Sequence, residues 1–161
     1  MKSLTPEPLT AEQFRAYGSV IETANAESIS INNGNCLRYS NLANLDVDDS
    51  GVTGISLFEA KPISNPYQLS YVERHPLGSQ AFIPMTQEKF LVIVADELNG
   101  VAKEPRVFIT DGRQGVNYRR NVWHGVLAPM VASALFAVVD YIGARENLEE
   151  YEYQLPYDIE F

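Results

Sequence analysis

The chain contains little cysteine, little histidine and little positive charge. One cysteine, Cys36, excludes a disulfide within the chain and is typical of a reducing compartment, so we expect a cytoplasmic protein with Cys36 as a buried thiol. Twelve basic against 21 acidic residues give a net charge of −9. This argues against nucleic-acid and anionic-membrane partners, because phosphate binding requires clustered Lys and Arg. No apolar run is long enough to cross a membrane, and the N-terminus lacks the apolar core of a secretory signal.

Several common functional motifs are also absent. The sequence has no GxGxxG, P-loop, GxSxG or CxxC pattern, which argues against nucleotide cofactors and the common nucleophilic hydrolases. Otherwise the composition is that of a soluble globular protein, with 45% hydrophobic and 20% charged residues. The length predicts a single domain over residues 1–161.

The hydrophobic pattern predicts a mainly β protein. We expect strands at residues 19–22, 54–61, 67–75, 80–84, 90–95, 106–110, 115–118, 122–127 and 135–141. The run Phe90 to Ala95, FLVIVA, is continuously apolar, which favours a strand buried on both faces. Many short strands with almost no helix between them indicate an antiparallel sandwich or barrel.

Three local signals complete this expectation. Thr10 and Gln13 form a capping-box pattern that predicts a helix of about two turns, with Gly18 able to end it. The pair Asp111-Gly112 between two apolar runs favours a β-hairpin. The acidic, tyrosine-rich segment from Arg145 to Phe161 is open between a short helix and a packed tail.

The first candidate site lies at the end of the strand that begins at Tyr67. Alternation along this strand places Leu69, Tyr71, Glu73 and His75 on one face, so an apolar face ends in a carboxylate and an imidazole. Such a face is typical of a small-molecule pocket, but a solvated strand end fits it equally well. A tight turn at His75-Pro76-Leu77-Gly78 then leads to the next strand.

The second candidate site contains the other histidine, His124. A barrel would allow His75 and His124 to reach one cavity. With Glu73 they could form a His-His-carboxylate metal site, which would use every histidine in the chain. The alternative, which we favour, is acid–base chemistry by the same groups without a metal, because the ordinary pKa of histidine is about 6.5. A core histidine bonded to a backbone carbonyl is the plainer interpretation of His124.

Other polar residues near these sites are candidates for substrate binding. Arg38 and Arg74 could hold a carboxylate, since a guanidinium matches its geometry, although a surface role fits each of them as well. Gln80 could hydrogen-bond an amide or only stabilise its turn. Around His124, donors and a flat ring are supplied by Asn117, Tyr118, Arg119 and Trp123.

Two motifs resemble one enzyme family. The segments ERHPLGSQAFIPM, from Glu73 to Met85, and GVNYRRNVWHGVLAPM, from Gly115 to Met130, are similar to those of ureidoglycolate lyase, long called ureidoglycolate hydrolase. The resemblance extends to the opening LTAEQFRAYGSVIE and to the strand LFAVVDY. The family's second motif commonly has histidines where Arg119 and Gly125 stand, which removes two possible metal ligands here. The site positions that match are Glu73, His75, Gln80, Asn117, Tyr118, Trp123 and His124.

The resemblance implies a fold and a reaction. We expect a cupin-like antiparallel β-barrel or jelly roll with a few short peripheral helices, usually a homodimer. The implied activity splits ureidoglycolate into glyoxylate and urea in allantoin and purine catabolism. Some members are associated with a divalent metal, nickel in particular.

The residues suit that chemistry. Ureidoglycolate is a carbinolamide, so its elimination requires a base for the hydroxyl proton and an acid for the departing nitrogen. We expect His75 or Glu73 as the base, His124 or Tyr118 on the urea side, and Gln80 with Asn117 reading the urea amide. Two alternatives stay open: an amidohydrolase that releases ammonia from the same compound, and a non-catalytic barrel that binds a small carboxylate such as glyoxylate.

Overall fold

The computed structural model describes residues 2–161, which form fifteen strands, one short α-helix and a 3-10 turn. The helix α1 is Ala11–Phe14, and the 3-10 turn is Asn32–Gly34. In chain order, the strands are β1 (Lys2–Leu4), β2 (Glu7–Pro8), β3 (Gly18–Ile21), β4 (Ser28–Ile31), β5 (Cys36–Tyr39), β6 (Gly51–Ala60), β7 (Tyr67–Arg74), β8 (Gln80–Pro84), β9 (Phe90–Leu98), β10 (Val101–Ile109), β11 (Gly115–Tyr118), β12 (Trp123–His124), β13 (Ala128–Pro129), β14 (Ala134–Gly143) and β15 (Glu149–Ile159).

Two sheets build the body of the molecule. The larger sheet has the order β1-β15-β7-β12-β9-β10-β2, with β13 also paired to β9, and the smaller has the order β3-β11-β8-β14-β6. Pairing is antiparallel except for the short outer strands β1 and β2. The larger sheet curls, since the Tyr153 hydroxyl on β15 donates to the Lys103 carbonyl on β10 at 3.0 Å. The mainly β, cupin-like architecture is therefore confirmed.

Strand β9 explains why its sequence is apolar at every position. Phe90, Val92 and Val94 pack in the core between the two sheets, and the intervening Leu91 and Ile93 pack in a second core on the other face. Successive side chains of a strand point to opposite faces, so burial on both faces requires a continuous apolar run. The prediction for this segment is confirmed.

The turn after β7 joins the two sheets rather than the two arms of a hairpin. Strand β7 lies in the larger sheet and β8 in the smaller, and the turn Leu77–Ser79 is bonded to the loop before β6. The Asp48 amide donates to the Leu77 carbonyl at 2.9 Å, and the Ser79 amide donates to the Asp46 carbonyl at 2.7 Å. The chain therefore crosses between the sheets immediately after His75.

The hairpin predicted at Asp111-Gly112 is wrong. Gly112 does turn the chain at φ 94°, but the flanking strands β10 and β11 belong to different sheets. The hairpin of this region instead joins β9 to β10 through Asn99 and Gly100, at φ 54° and 81°. An Asn-Gly pair is the sequence signal for that turn, because positive φ at both positions suits these residues.

The helix is shorter than predicted, but its cap is correct. The Thr10 hydroxyl accepts a hydrogen bond from the Gln13 amide at 3.3 Å, and α1 ends after one turn. Gly18 serves strand pairing rather than helix termination, since a Cβ there would lie 1.9 Å from the Asn117 carbonyl oxygen. Phe14 is fully buried and anchors the turn in the core between the sheets.

Of the two alternatives for the C-terminal segment, the helix is wrong: the segment packs, as β15, which pairs with β7, and its tyrosines pack against the second core. The prediction for Cys36 is also wrong. Cys36 is exposed rather than buried. It lies on β5, which pairs with β4 in a separate two-stranded sheet.

Candidate active site

Backbone pairing places Glu73 beside His124. The two residues are directly opposite each other where β7 pairs with β12, so their side chains emerge on the same face. Simple alternation predicted that Leu69 shares a face of β7 with Glu73, and this is wrong. Leu69 and Val72 both pack in the second core, although they are three residues apart. The pairing with β15 shifts register at this point. That irregularity sends Val72 to the second core and leaves Glu73 free to face His124.

His75 is held by a residue that the sequence analysis missed. Its Nδ1 lies 2.6 Å from the carbonyl oxygen of Asn147, and the side-chain oxygen of Asn147 accepts from the Leu77 amide at 2.6 Å. Asn147 thus ties the turn to the loop before β15. Because a carbonyl only accepts, Nδ1 carries the proton and Nε2 keeps its lone pair in the neutral ring. No local pattern around Asn147 signals this role.

His124 is arranged in the same way. It is 1% exposed, and its ring stacks on Tyr118 with centroids 4.2 Å apart and an interplanar angle of 7°. Its Nδ1 lies 3.0 Å from the Gly125 carbonyl oxygen, so this ring also presents Nε2 as the acceptor. Neither His75 Nε2 nor His124 Nε2 has a hydrogen-bond partner among residues 2–161.

The three groups converge on one point. Potential ligand atoms of Glu73, His75 and His124 lie within 4.8 Å of one another. His75 Nε2 is 3.9 Å from Glu73 Oε1, and the two imidazole centroids are 5.2 Å apart. The structure thus brings His75 and His124 together, as the sequence predicted.

Burial controls the protonation of this cluster. Desolvation, with a smaller contribution from the charge of His75, lowers the pKa of His124 to about 3, so its ring is neutral at physiological pH. Desolvation raises the pKa of Glu73, an effect that His75 opposes. The pKa of Tyr118 is also raised, by burial and then by Glu73, so the phenol keeps its proton.

Gln80 lies next to this cluster and is oriented by Asp140, a second residue that the sequence analysis missed. Gln80 pairs with Tyr118 across β8 and β11, and it is 5% exposed. Its Nε2 donates to Asp140 Oδ2 at 3.0 Å, while its Oε1 has no partner among the described residues. A carboxylate only accepts, so this contact fixes which end of the Gln80 amide remains available.

Four predicted binding residues lie elsewhere. Arg74 stacks over the Trp123 ring at 4.3 Å and pairs with Glu97 and Glu149, and Trp123 belongs to the second core. Asn117 faces away from Tyr118, its neighbour on β11, and donates to the Asn44 carbonyl at 2.9 Å. Arg38 is exposed on the separate two-stranded sheet. As substrate ligands, these four residues stay predictions.

Comparison with known proteins identifies the family of this chain. The family model described as ureidoglycolate lyase matches residues 1–160. The chain belongs to the ureidoglycolate lyase family. A relative named ureidoglycolate lyase from Rhodobacter capsulatus is 49% identical over 99% of both chains. One from Rhizobium meliloti, ureidoglycolate lyase 2, is 44% identical over 100% of this chain and 99% of its own. A third, from Chelativorans sp., is 44% identical over 99% and 97%.

The two departures from the common motif of the ureidoglycolate lyase family lie outside the cluster. A Cβ at Gly125 would lie 2.9 Å from the Cβ of Ile93, which packs in the second core, so position 125 faces that core. Arg119 is exposed, with its Nη1 3.4 Å from the Ala16 carbonyl oxygen. Positions 119 and 125 therefore lie apart from the cluster of Glu73, His75 and His124. Metal binding without histidines at these two positions stays a prediction.

A cavity of about 360 Å³ opens beside the cluster. Glu73 belongs both to the cluster and to the wall of this cavity. The cavity is lined by Phe58, Glu59, Ala60, Glu73, Phe82, Val126 and Leu127. Among these lining residues there is no lysine or arginine, so a substrate carboxylate would meet no basic side chain in this lining. Of the three residues in the cluster, Glu73 is the one in this lining. Among residues 2–161, there is no helix long and apolar enough to cross a membrane.

Proposed function

We propose that this protein cleaves ureidoglycolate into glyoxylate and urea at the cluster of Glu73, His75 and His124. Family membership supports the reaction, since the relatives are named ureidoglycolate lyase. The observation that carries the site is the convergence of these three groups within 4.8 Å, with both Nε2 atoms unpaired among the described residues. Both family motifs therefore contribute to one reaction centre.

Glu73 is the proposed base. It removes the proton of the substrate hydroxyl as the carbonyl of glyoxylate forms and the bond from carbon to the ureido nitrogen breaks. A carboxylate with a raised pKa binds that proton more strongly than an exposed carboxylate does. Burial raises the pKa of Glu73 in this way. Its position on the wall of the cavity suits direct contact with the substrate.

His75 is the proposed acid: in its doubly protonated form, with a proton on Nε2 as well as on Nδ1, it protonates the departing nitrogen to give urea. His124 is unsuited to this step, because its lowered pKa leaves it without a proton to donate near neutrality. His75 Nε2 lies 3.9 Å from Glu73 Oε1, so the proton taken from the hydroxyl has a short return path. Tyr118 is proposed to act through its ring, by holding His124 in place.

The same cluster fits a divalent cation. Each histidine has its Nδ1 proton bonded to a backbone carbonyl, the arrangement that orients Nε2 for a metal, and Glu73 completes a three-ligand set. A cation such as nickel, when bound there, would polarise substrate oxygens as a Lewis acid. His75 Nε2 cannot be ligand and acid together, so the two roles are separable by experiment.

The test is a product assay on purified protein. We expect ureidoglycolate to yield glyoxylate and urea in equal amounts, above the spontaneous rate, both with and without a chelator. Ammonia in place of urea would identify an amidohydrolase, and ligand binding without turnover would identify a binding protein. Activity that is lost with chelator and restored by nickel would overturn the metal-free route.

An oligomeric state and a cellular location are proposed alongside the reaction. We propose a homodimer, which the exposed apolar side chains Ile55, Leu57 and Ile83 support, at 77%, 62% and 39% exposure. Ile55 and Leu57 lie on β6, an edge strand whose outer backbone groups are available for pairing. A cytoplasmic location is proposed because one cysteine suits a reducing compartment. Light scattering and an Ile55→Glu variant would test the dimer.

A further inference from the structure

A second cavity, of about 510 Å³, lies on the opposite face of β11 from the histidine cluster. Asn117 and Tyr118 are neighbours on this strand, so their side chains point to opposite faces. Tyr118 packs against His124, whereas Asn117 lines the second cavity together with Arg119 and Arg120. The loop that contains Asn44 and Asp46 forms the other wall.

The charge of this cavity differs from that of the whole protein. The chain carries a net charge of −9, yet two guanidinium groups and one carboxylate line this cavity. Arg120 Nη2 lies 2.8 Å from Asp46 Oδ1, so that pair is neutral as a unit. The charge of Arg119 remains, since its contact in this region is with the uncharged Ala16 carbonyl. The cavity therefore suits a monoanion.

Two buried polar atoms in the lining are unsatisfied. Asn117 is 2% exposed, and its Nδ2 is held by the Asn44 carbonyl, yet its Oδ1 has no hydrogen-bond partner among residues 2–161. Arg120 Nε is likewise buried and unpaired within the described chain. An unsatisfied buried polar group costs about 1–3 kcal/mol, so such atoms require an explanation. One accepts and the other donates, and together they specify a ligand with both functions.

We propose that this cavity is a second binding site, for a small monoanionic carboxylate that also carries an N–H or O–H donor. The carboxylate binds the guanidinium groups of Arg119 and Arg120, whose N–H donors match its oxygens. The N–H or O–H group of the ligand donates to Asn117 Oδ1. Hydroxy acids and ureido acids have this chemistry. The site is separate from the histidine cluster and does not rest on the function proposed for it.

The experiment counts binding sites by calorimetry with N-carbamoylglycine, a ureido acid without the hydroxyl that elimination requires. The protein is the full chain as His75→Gln, which disables the histidine cluster, alone and combined with Arg119→Gln or Arg15→Gln. Arg15→Gln is the matched control, because it removes the same charge from an exposed residue that lies outside the lining of the cavity. Circular dichroism checks that each variant is folded.

We expect His75→Gln to bind one equivalent per chain. Adding Arg119→Gln weakens that binding at least about tenfold, the effect of losing one charge-assisted hydrogen bond, while adding Arg15→Gln changes it less than about twofold. Propionate, which has the carboxylate without the donor, binds at least about tenfold more weakly than N-carbamoylglycine. Absence of binding to His75→Gln, equal effects of the two arginine variants, or equal affinity for the two ligands would overturn the proposal.

Discussion

Tyr118 and His124 stack face to face, with ring centroids 4.2 Å apart and planes 7° from parallel. One residue comes from β11 in the smaller sheet and the other from β12 in the larger, so the stack joins the two sheets at the proposed reaction centre. The contact fixes the plane of the His124 ring, and the bond from Nδ1 to the Gly125 carbonyl fixes its rotation within that plane.

The first prediction concerns this stack. Tyr118→Phe keeps an aromatic ring against His124, so we expect kcat for glyoxylate formation to stay within about threefold of wild type. Tyr118→Leu removes the ring, and misplacement of a reacting group by about 1 Å can reduce the rate on the order of 100-fold. Steady-state kinetics check both variants. A large loss in Tyr118→Phe would show that the hydroxyl itself takes part.

The second prediction concerns the proton transfers. Glu73→Gln and His75→Gln keep side-chain polarity but remove a base and an acid, and each is expected to lower kcat about 10²–10⁴-fold, the usual contribution of positioned proton transfer. Glu150→Gln is the control, because Glu150 pairs with Glu73 across β7 and β15 but is exposed. We expect its kcat to change less than about threefold. Near-wild-type turnover by Glu73→Gln would remove Glu73 from the mechanism.

The third prediction concerns metal binding, measured without reference to activity. We expect calorimetry to detect one equivalent of Ni²⁺ per chain, weakened at least about 100-fold in His124→Ala, because imidazole nitrogen is a preferred ligand of such ions. The chain has only two histidines, so no other imidazole can replace the lost one. Glu104→Gln, an exposed carboxylate on β10, is the control. Equal Ni²⁺ affinity in wild type and His124→Ala would contradict a site at the cluster.

The fourth prediction concerns stability and pH. The pKa of His124 is lowered from 6.5 to about 3 in the folded protein, so the unfolded chain binds this proton more readily. Stability is therefore full above pH 6.5 and falls as the pH decreases from there toward 3, by up to about 1.4 kcal/mol per pH unit from this residue. Glu73 has the opposite sign, because its raised pKa favours the folded state until the pH rises through it.

Urea denaturation at several pH values separates these two contributions. A His124→Phe variant retains a ring against Tyr118 but has no titrating nitrogen. We expect its loss of stability between pH 6 and pH 4.5 to be smaller than that of wild type, with chelator present in both series. Identical slopes in the two proteins would contradict a neutral, buried His124.

The fifth prediction concerns the orientation of Gln80. Asp140→Asn can still accept from Gln80 Nε2, whereas Asp140→Ala leaves the amide free to flip and misplace Oε1. We expect Asp140→Ala to raise KM about tenfold, the effect of losing one hydrogen bond to the substrate, while kcat stays within about threefold of wild type. Asp140→Asn is expected to have KM and kcat near those of wild type. Equal kinetics for the two variants would exclude this positioning role.

Much of the fold follows from local sequence signals. The run Phe90 to Ala95 requires burial on both faces whatever surrounds it, and the Thr10 hydroxyl caps α1 as its spacing from Gln13 predicts. The Asp111-Gly112 turn was predicted correctly as a turn but not as a hairpin. A turn residue determines φ at its own position, whereas the sheet that the next strand joins depends on distant pairing.

The sequence by itself determined the mainly β class, the family motifs and the two histidines with Glu73 as the residues to examine. Only the tertiary structure decided that Arg74 and Trp123 pack with each other in place of facing the cluster, and that Asn147 and Asp140 orient His75 and Gln80. Such contacts join residues that lie 49 to 72 positions apart. Their geometry depends on the register of β7, β12 and β15, and no local pattern specifies that register.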